Sequence, residues 1–125
     1  MARILVIDDE ELIRVMVRRI LERAGHEVAE ADNGAVGVKM YAEAAYDLVL
    51  CDVIMPEKDG IETIIELQQM DASVKIIAMS GGGQVSEHSY LRMARVLGAT
   101  VTLNKPFSRR DLLQLVEDLL STAAA

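Results

Sequence analysis

Short, almost wholly apolar runs alternate with stripes of apolar residues at helical spacing along this chain of 125 residues. Ile4-Leu5-Val6-Ile7, Leu48-Val49-Leu50-Cys51 and Ile76-Ile77-Ala78-Met79 have the pattern of strands covered on both faces. The pattern predicts strands at about Arg3–Ile7, Glu27–Glu30, Asp47–Cys51, Lys75–Met79 and Thr100–Leu103. After the first, Ile13, Val17, Ile20, Leu21 and Ala24 recur as one helix face, and Gly25 is the expected stop. Asn33-Gly34 opens a second helix that runs to about Ala45, and a third spans about Gly60 to Met70. Ser86 to Leu97 reads as a fourth, closed by Gly98. Ser108, with Asp111 three positions on, starts the last helix, whose inner stripe is Leu112, Val116 and Leu119. Five strands alternating with five helices imply βαβ units in an α/β domain that fills residues 1–125. Right-handed crossovers put such helices on both faces of a parallel sheet and leave ligands to bind beyond the carboxyl ends of its strands.

That edge is where the polar residues gather. Asp8 and Asp9 follow the first run, Asp52 the second and Ser80 the third, while Lys105-Pro106 follows the fifth strand. Anions crowded into a crevice repel one another and lose hydration, so such a set is expected to hold a cation. Oxygen ligands suit Mg²⁺, with Asp9 and Asp52 as direct carboxylate ligands and Asp8 holding a metal-bound water. On its own, the Asp8-Asp9 pair would read as an acidic helix start; the matching residues at the other strand ends give it a different meaning. Asp52 is the candidate nucleophile, since a carboxylate can attack phosphorus to give an acyl phosphate. Lys105 and the Ser80 hydroxyl are placed to contact phosphoryl oxygens.

Composition narrows the classes. With 51% hydrophobic and 26% charged residues the chain is a folded one, and no apolar stretch approaches the length that spans a bilayer. The opening residues lack a signal-peptide pattern, so a cytoplasmic location is expected. Cys51 lies inside an apolar run and reads as a core residue. A net charge of −7, three Tyr, one Phe and no Trp argue against direct nucleic-acid binding. Arg14, Arg18, Arg19 and Arg23 line the first helix; a solvated face supported by a Glu10–Arg14 pair is the favoured reading, and steering toward an acidic partner is the other.

Asp8-Asp9 after a strand, Asp52 followed by Met55-Pro56 and Gly60, Ser80 after an apolar strand, and Lys105-Pro106-Phe107 recur here in one order and spacing. Over essentially its whole length the chain resembles the receiver domains of two-component response regulators, of the chemotaxis, single-domain type. The resemblance implies a flavodoxin-like, doubly wound sheet of five parallel strands in the order 2-1-3-4-5 with five helices. It also implies Asp52 as phosphoacceptor, Mg²⁺ organised by Asp8, Asp9, Asp52 and the Ile54 carbonyl, and Ser80 and Lys105 reading out the phosphate. A cis Lys105–Pro106 bond is implied too, although trans is the expectation from sequence alone. The implied partners are a histidine kinase or phosphotransfer protein as donor and a downstream protein as target. Such a domain catalyses its own phosphorylation and dephosphorylation without being a conventional enzyme, and a monomer or weak dimer is expected.

Phosphorylation would draw Ser80 inward and reshape the Gly81–Gly83 loop. Thr102 stands where many members carry Tyr or Phe, which leaves open an altered output face, a phosphate shuttle to a histidine phosphotransfer protein, or an ordinary strand residue. A receiver cut from a larger regulator or hybrid kinase is a further alternative. An aspartyl-phosphate phosphatase would usually need a second acid where Ile54 stands. A flavodoxin-type cofactor site would place a phosphate loop where Asp8-Asp9-Glu10-Glu11 would repel an anion.

Overall fold

A computed structural model of the chain describes residues 2–53, 60–80 and 98–121. The strands are β1 (Arg3–Ile7), β2 (Glu27–Ala31), β3 (Leu48–Asp52), β4 (Ile76–Ser80) and β5 (Val101–Asn104). They form one parallel sheet in the order β2-β1-β3-β4-β5, as expected. The described helices are α1 (Glu11–Arg23), α2 (Gly34–Glu43), α3 (Gly60–Met70) and α4 (Arg109–Ser121). The helix expected over Ser86–Leu97 and the Gly81–Gly83 loop lie outside the described residues.

Alternation along the strands divides the core between the two faces of the sheet. Ile4, Val6, Leu48, Leu50, Ile77 and Met79 meet Val17 and Leu21 of α1 and Leu112, Val116 and Leu119 of α4. On the opposite face Leu5, Ile7, Val49, Cys51, Ile76 and Ala78 meet Ile61, Ile64 and Leu67 of α3, with Val38, Met40 and Tyr41 packed alongside. Cys51 is buried within this core, its thiol donating to Asp52 O at 3.4 Å. Helix starts follow their predicted chemistry. The Asn33 side chain accepts from Val36 N at 2.9 Å, and the Ser108 hydroxyl accepts from Asp111 N at 3.0 Å.

The apolar pattern places β3, β4 and β5 one residue too early. Asp47 stays outside β3, although its N donates to Arg3 O, and its carboxylate accepts from Arg3 N at 2.9 Å. At the other end Asp52 pairs with Met79 and Ser80 with Asn104. Backbone pairing is indifferent to side-chain polarity, so the strands continue into the polar residues that hydropathy would exclude. The backbones of Asp52 and Ser80 are thus members of the ladder.

The first helix also differs from its sequence reading. Glu10 and Arg14 share a backbone bond, but the Arg14 guanidinium turns to Glu30, with Nε to Oε1 at 3.1 Å, and donates to Asp8 O at 2.8 Å. Arg18 bonds both Glu22 and Glu30 at 3.0 Å. Among the described residues Arg14 and Arg18 are therefore tied to acids, both of them to Glu30 on β2.

Candidate functional site

The carboxyl ends of β1, β3 and β4 and the residue after β5 meet in one place. Val53 N donates to Met79 O at 2.9 Å and Lys105 N to Ser80 O at 2.6 Å, so hydrogen bonds tie neighbouring strand ends together. The Lys105–Pro106 peptide is cis, as the family resemblance implied. Asp8 N donates to Ala31 O, and Asp8 Oδ1 accepts from Glu10 N at 2.9 Å, which fixes the turn from β1 into α1.

Lys105 is the centre of the arrangement. Its Nζ lies 2.7 Å from Asp8 Oδ2, 3.4 Å from Glu10 Oε1 and 3.6 Å from Asp52 Oδ2. Asp8, Asp52 and Ser80 are buried. Burial pushes the Asp8 carboxyl above the usual range, against the pull of its hydrogen bond to Lys105. Burial also works against the Lys105 charge, but the Asp8 hydrogen bond and the nearby charges of Asp52, Asp8 and Glu10 outweigh it, and its pKa is raised. The ammonium is thus fixed in its charged form beside the acids.

One carboxylate oxygen from each of Asp8, Glu10 and Asp52 falls within a 4.8 Å cluster. Among the described residues, three hard oxygen donors stand beside one lysine, a donor set with excess negative charge that fits Mg²⁺. Asp9 is exposed and stands outside this cluster, while Glu10, which the sequence reading assigned to a helix pair, stands inside it. The Ile54 carbonyl, Met55 and Pro56 lie outside the described residues. Thr102 is a half-buried strand residue paired with Ala78.

A doubly wound parallel sheet whose carboxyl edge gathers acids around one lysine is built to handle a cation and a phosphoryl group. Residues 4–117 match the response regulator receiver domain family, and the chain belongs to it. It is 41% identical over 120 residues to the chemotaxis protein CheY of Bacillus subtilis, covering 95% of this chain and 98% of that one. It is 35% identical to the response regulator receiver protein CpdR of Brucella abortus, covering 98% and 100% of the two chains. The response regulator TrrA of Thermotoga maritima, solved in complex with Mg²⁺ and BeF, superposes with a TM-score of 0.86 at 32% identity, covering 96% and 100%. The chain is therefore a CheY-like phosphoacceptor receiver of two-component signalling. Among the described residues no helix is long and apolar enough to cross a membrane.

Proposed function

We propose that Asp52 is the phosphoacceptor, receiving its phosphoryl group from a histidine kinase or phosphotransfer protein, and that the phosphorylated chain signals by contact with a downstream protein. The observation that carries this reading is the single ammonium of Lys105 held against Asp8 and Asp52 at the carboxyl edge of the sheet. Asp52 attacks phosphorus, its O–P bond forms as the donor P–N bond breaks, and the electron pair and a proton go to the imidazole. Asp52 stands ready for this because its backbone is fixed in β3. Lys105 offsets charge on the transferred oxygens, and the Ser80 hydroxyl donates to one of them. Hydrolysis reverses the modification: water attacks phosphorus, the O–P bond to Asp52 breaks, and inorganic phosphate leaves. The chain thereby catalyses both its phosphorylation and its dephosphorylation.

Asp8, Asp9, Asp52 and the Ile54 carbonyl are the proposed Mg²⁺ ligands, Asp8 through water. Bound there, Mg²⁺ supplies positive charge to the transferring phosphoryl oxygens. The Mg²⁺–BeF complex of the Thermotoga maritima relative supports this assignment. Residues 1–125 act as one receiver domain, cytoplasmic, monomeric or weakly dimeric, without direct contact to nucleic acid or membrane.

The test is incubation with a small acyl phosphate and Mg²⁺ followed by intact-mass measurement. A phosphate-sized gain, lost when a chelator is present and mapped to the peptide carrying β3, is the expected result. An unmodified mass under these conditions would defeat the assignment.

Cation binding has its own signature. At pH 7, Mg²⁺ at 100 times its dissociation constant should stabilise the fold by about 2.7 kcal/mol. The gain should shrink toward pH 5, because Asp8, with its raised pKa, takes up its proton earlier than an ordinary aspartate and must lose it to bind. In the metal-free protein the same shift has the opposite sign: the stability linked to protonated Asp8 is present at low pH and is lost as pH rises through its folded pKa. Thermal melts at both pH values with and without Mg²⁺ read this directly; a Mg²⁺ effect that grows on acidification would contradict it.

A further inference from the structure

Glu10 differs from the other two acids that contact Lys105. Asp8 and Asp52 are buried, whereas the Glu10 side chain is 60% exposed at the opening of the site. Its backbone is held at both ends, with N donating to Asp8 Oδ1 at 2.9 Å and O accepting from Arg14 N at 3.1 Å. The carboxylate therefore extends from a fixed anchor, and its Oε1 stands 3.4 Å from the ammonium that has to meet an incoming phosphoryl group. A negative charge in this position does two things. It competes with the donor's oxygens for Lys105, and it repels each negative charge that the donor brings.

We propose that Glu10 is a specificity-determining residue, a negatively charged sentry over Lys105 that selects against small phosphoryl donors of high charge. The proposal rests on Asp52 as acceptor and deepens that reading. Repulsion grows with donor charge, so the residue discriminates between donors that deliver the same group. A free acyl phosphate carries about two negative charges at neutral pH and a phosphoramidate about one, and one added charge passing about 5–6 Å from Glu10 should slow transfer roughly threefold. Either donor forms the same O–P bond to Asp52. The acyl phosphate loses its P–O bond and releases a carboxylate; the phosphoramidate loses its P–N bond and releases ammonia, the nitrogen taking a proton from solvent.

The experiment compares phosphorylation rates of wild type, Glu10→Gln and Glu10→Lys with both donors, each protein at saturating Mg²⁺ so that any change in cation affinity drops out. The acyl phosphate to phosphoramidate rate ratio should rise roughly threefold in Glu10→Gln and further in Glu10→Lys, and the increase should fade as ionic strength is raised. A purely structural role would change both donors alike and leave the ratio where it was. An unchanged ratio, or a rise insensitive to salt, would overturn the role of Glu10 while leaving Asp52 as acceptor. Absence of any mass gain in the wild type with both donors would overturn the acceptor assignment, and the Glu10 proposal with it.

Discussion

Asp52→Asn will show no phosphate-sized mass gain under conditions that modify the wild type. An amide oxygen has neither the charge nor the basicity to displace a leaving group at phosphorus, and no mixed anhydride can form. The substitution keeps the volume of a residue that is 4% exposed, so the sheet should form as before. It also removes one of the two buried negative charges facing Lys105. A second readout follows: the Mg²⁺-induced rise in melting temperature should fall well below that of the wild type, because one of the three clustered carboxylates has lost its charge. Undiminished labelling in Asp52→Asn, with the mass mapped to another residue, would reduce the acid cluster to a cation-binding feature.

Gly60→Ala will be among the most destabilising single-methyl additions in the chain. A Cβ at Gly60 would overlap the Asp52 carbonyl oxygen and Val53 Cα, and would lie 2.8 Å from the Asp52 carbonyl carbon. All three are backbone atoms, which cannot rotate aside as a flexible side chain can. Gly60 N also donates to Val53 O at 3.0 Å, so the start of α3 is drawn onto the end of β3 by the same contact that leaves no room. The expected loss is about 3 kcal/mol or more, seen as a lower urea midpoint with little change in slope. Gly25→Ala provides the contrast. Its φ is +95° but nothing lies within 4 Å of the added carbon, so only the conformational cost of about 1–2 kcal/mol applies. Equal losses at the two positions would mean that α3 does not press on β3. Because the clash involves the peptide of Asp52, any Gly60→Ala protein that remains folded should also label more slowly.

Much of this architecture is written in local pattern. Runs such as Leu48-Val49-Leu50-Cys51 announce strands buried on both faces, and Asn33 and Ser108 announce helix starts by their hydrogen-bonding chemistry. Hydropathy sees side chains and not backbone pairing, which is why Asp52, Ser80 and Asn104 were left outside the strands they complete. The site shows a similar division. Asp8, Asp52 and Lys105 were legible because each terminates an apolar run, and the topology brings such ends together. Glu10 escaped because a carboxylate four residues before an arginine has an obvious local partner. Its contact, Lys105, is 95 residues away, and Arg14 is taken instead by Glu30 on β2. Long-range competition for one guanidinium has no signature in spacing. Asp9, its neighbour in the acidic run, points the same lesson from the other side: adjacency to Asp8 did not bring it into the group of acids around the lysine.

Strand β3 ends in Asp52, whose peptide is paired to β4 and whose side chain is almost wholly covered. On the proposed function, an acceptor so placed cannot travel. The donor must then do the moving and bring its phosphoryl group in on a narrow projection, slim enough to pass the exposed acids of the loop after β1. A flat donor surface, however well matched in charge, would stop short of the carboxylate.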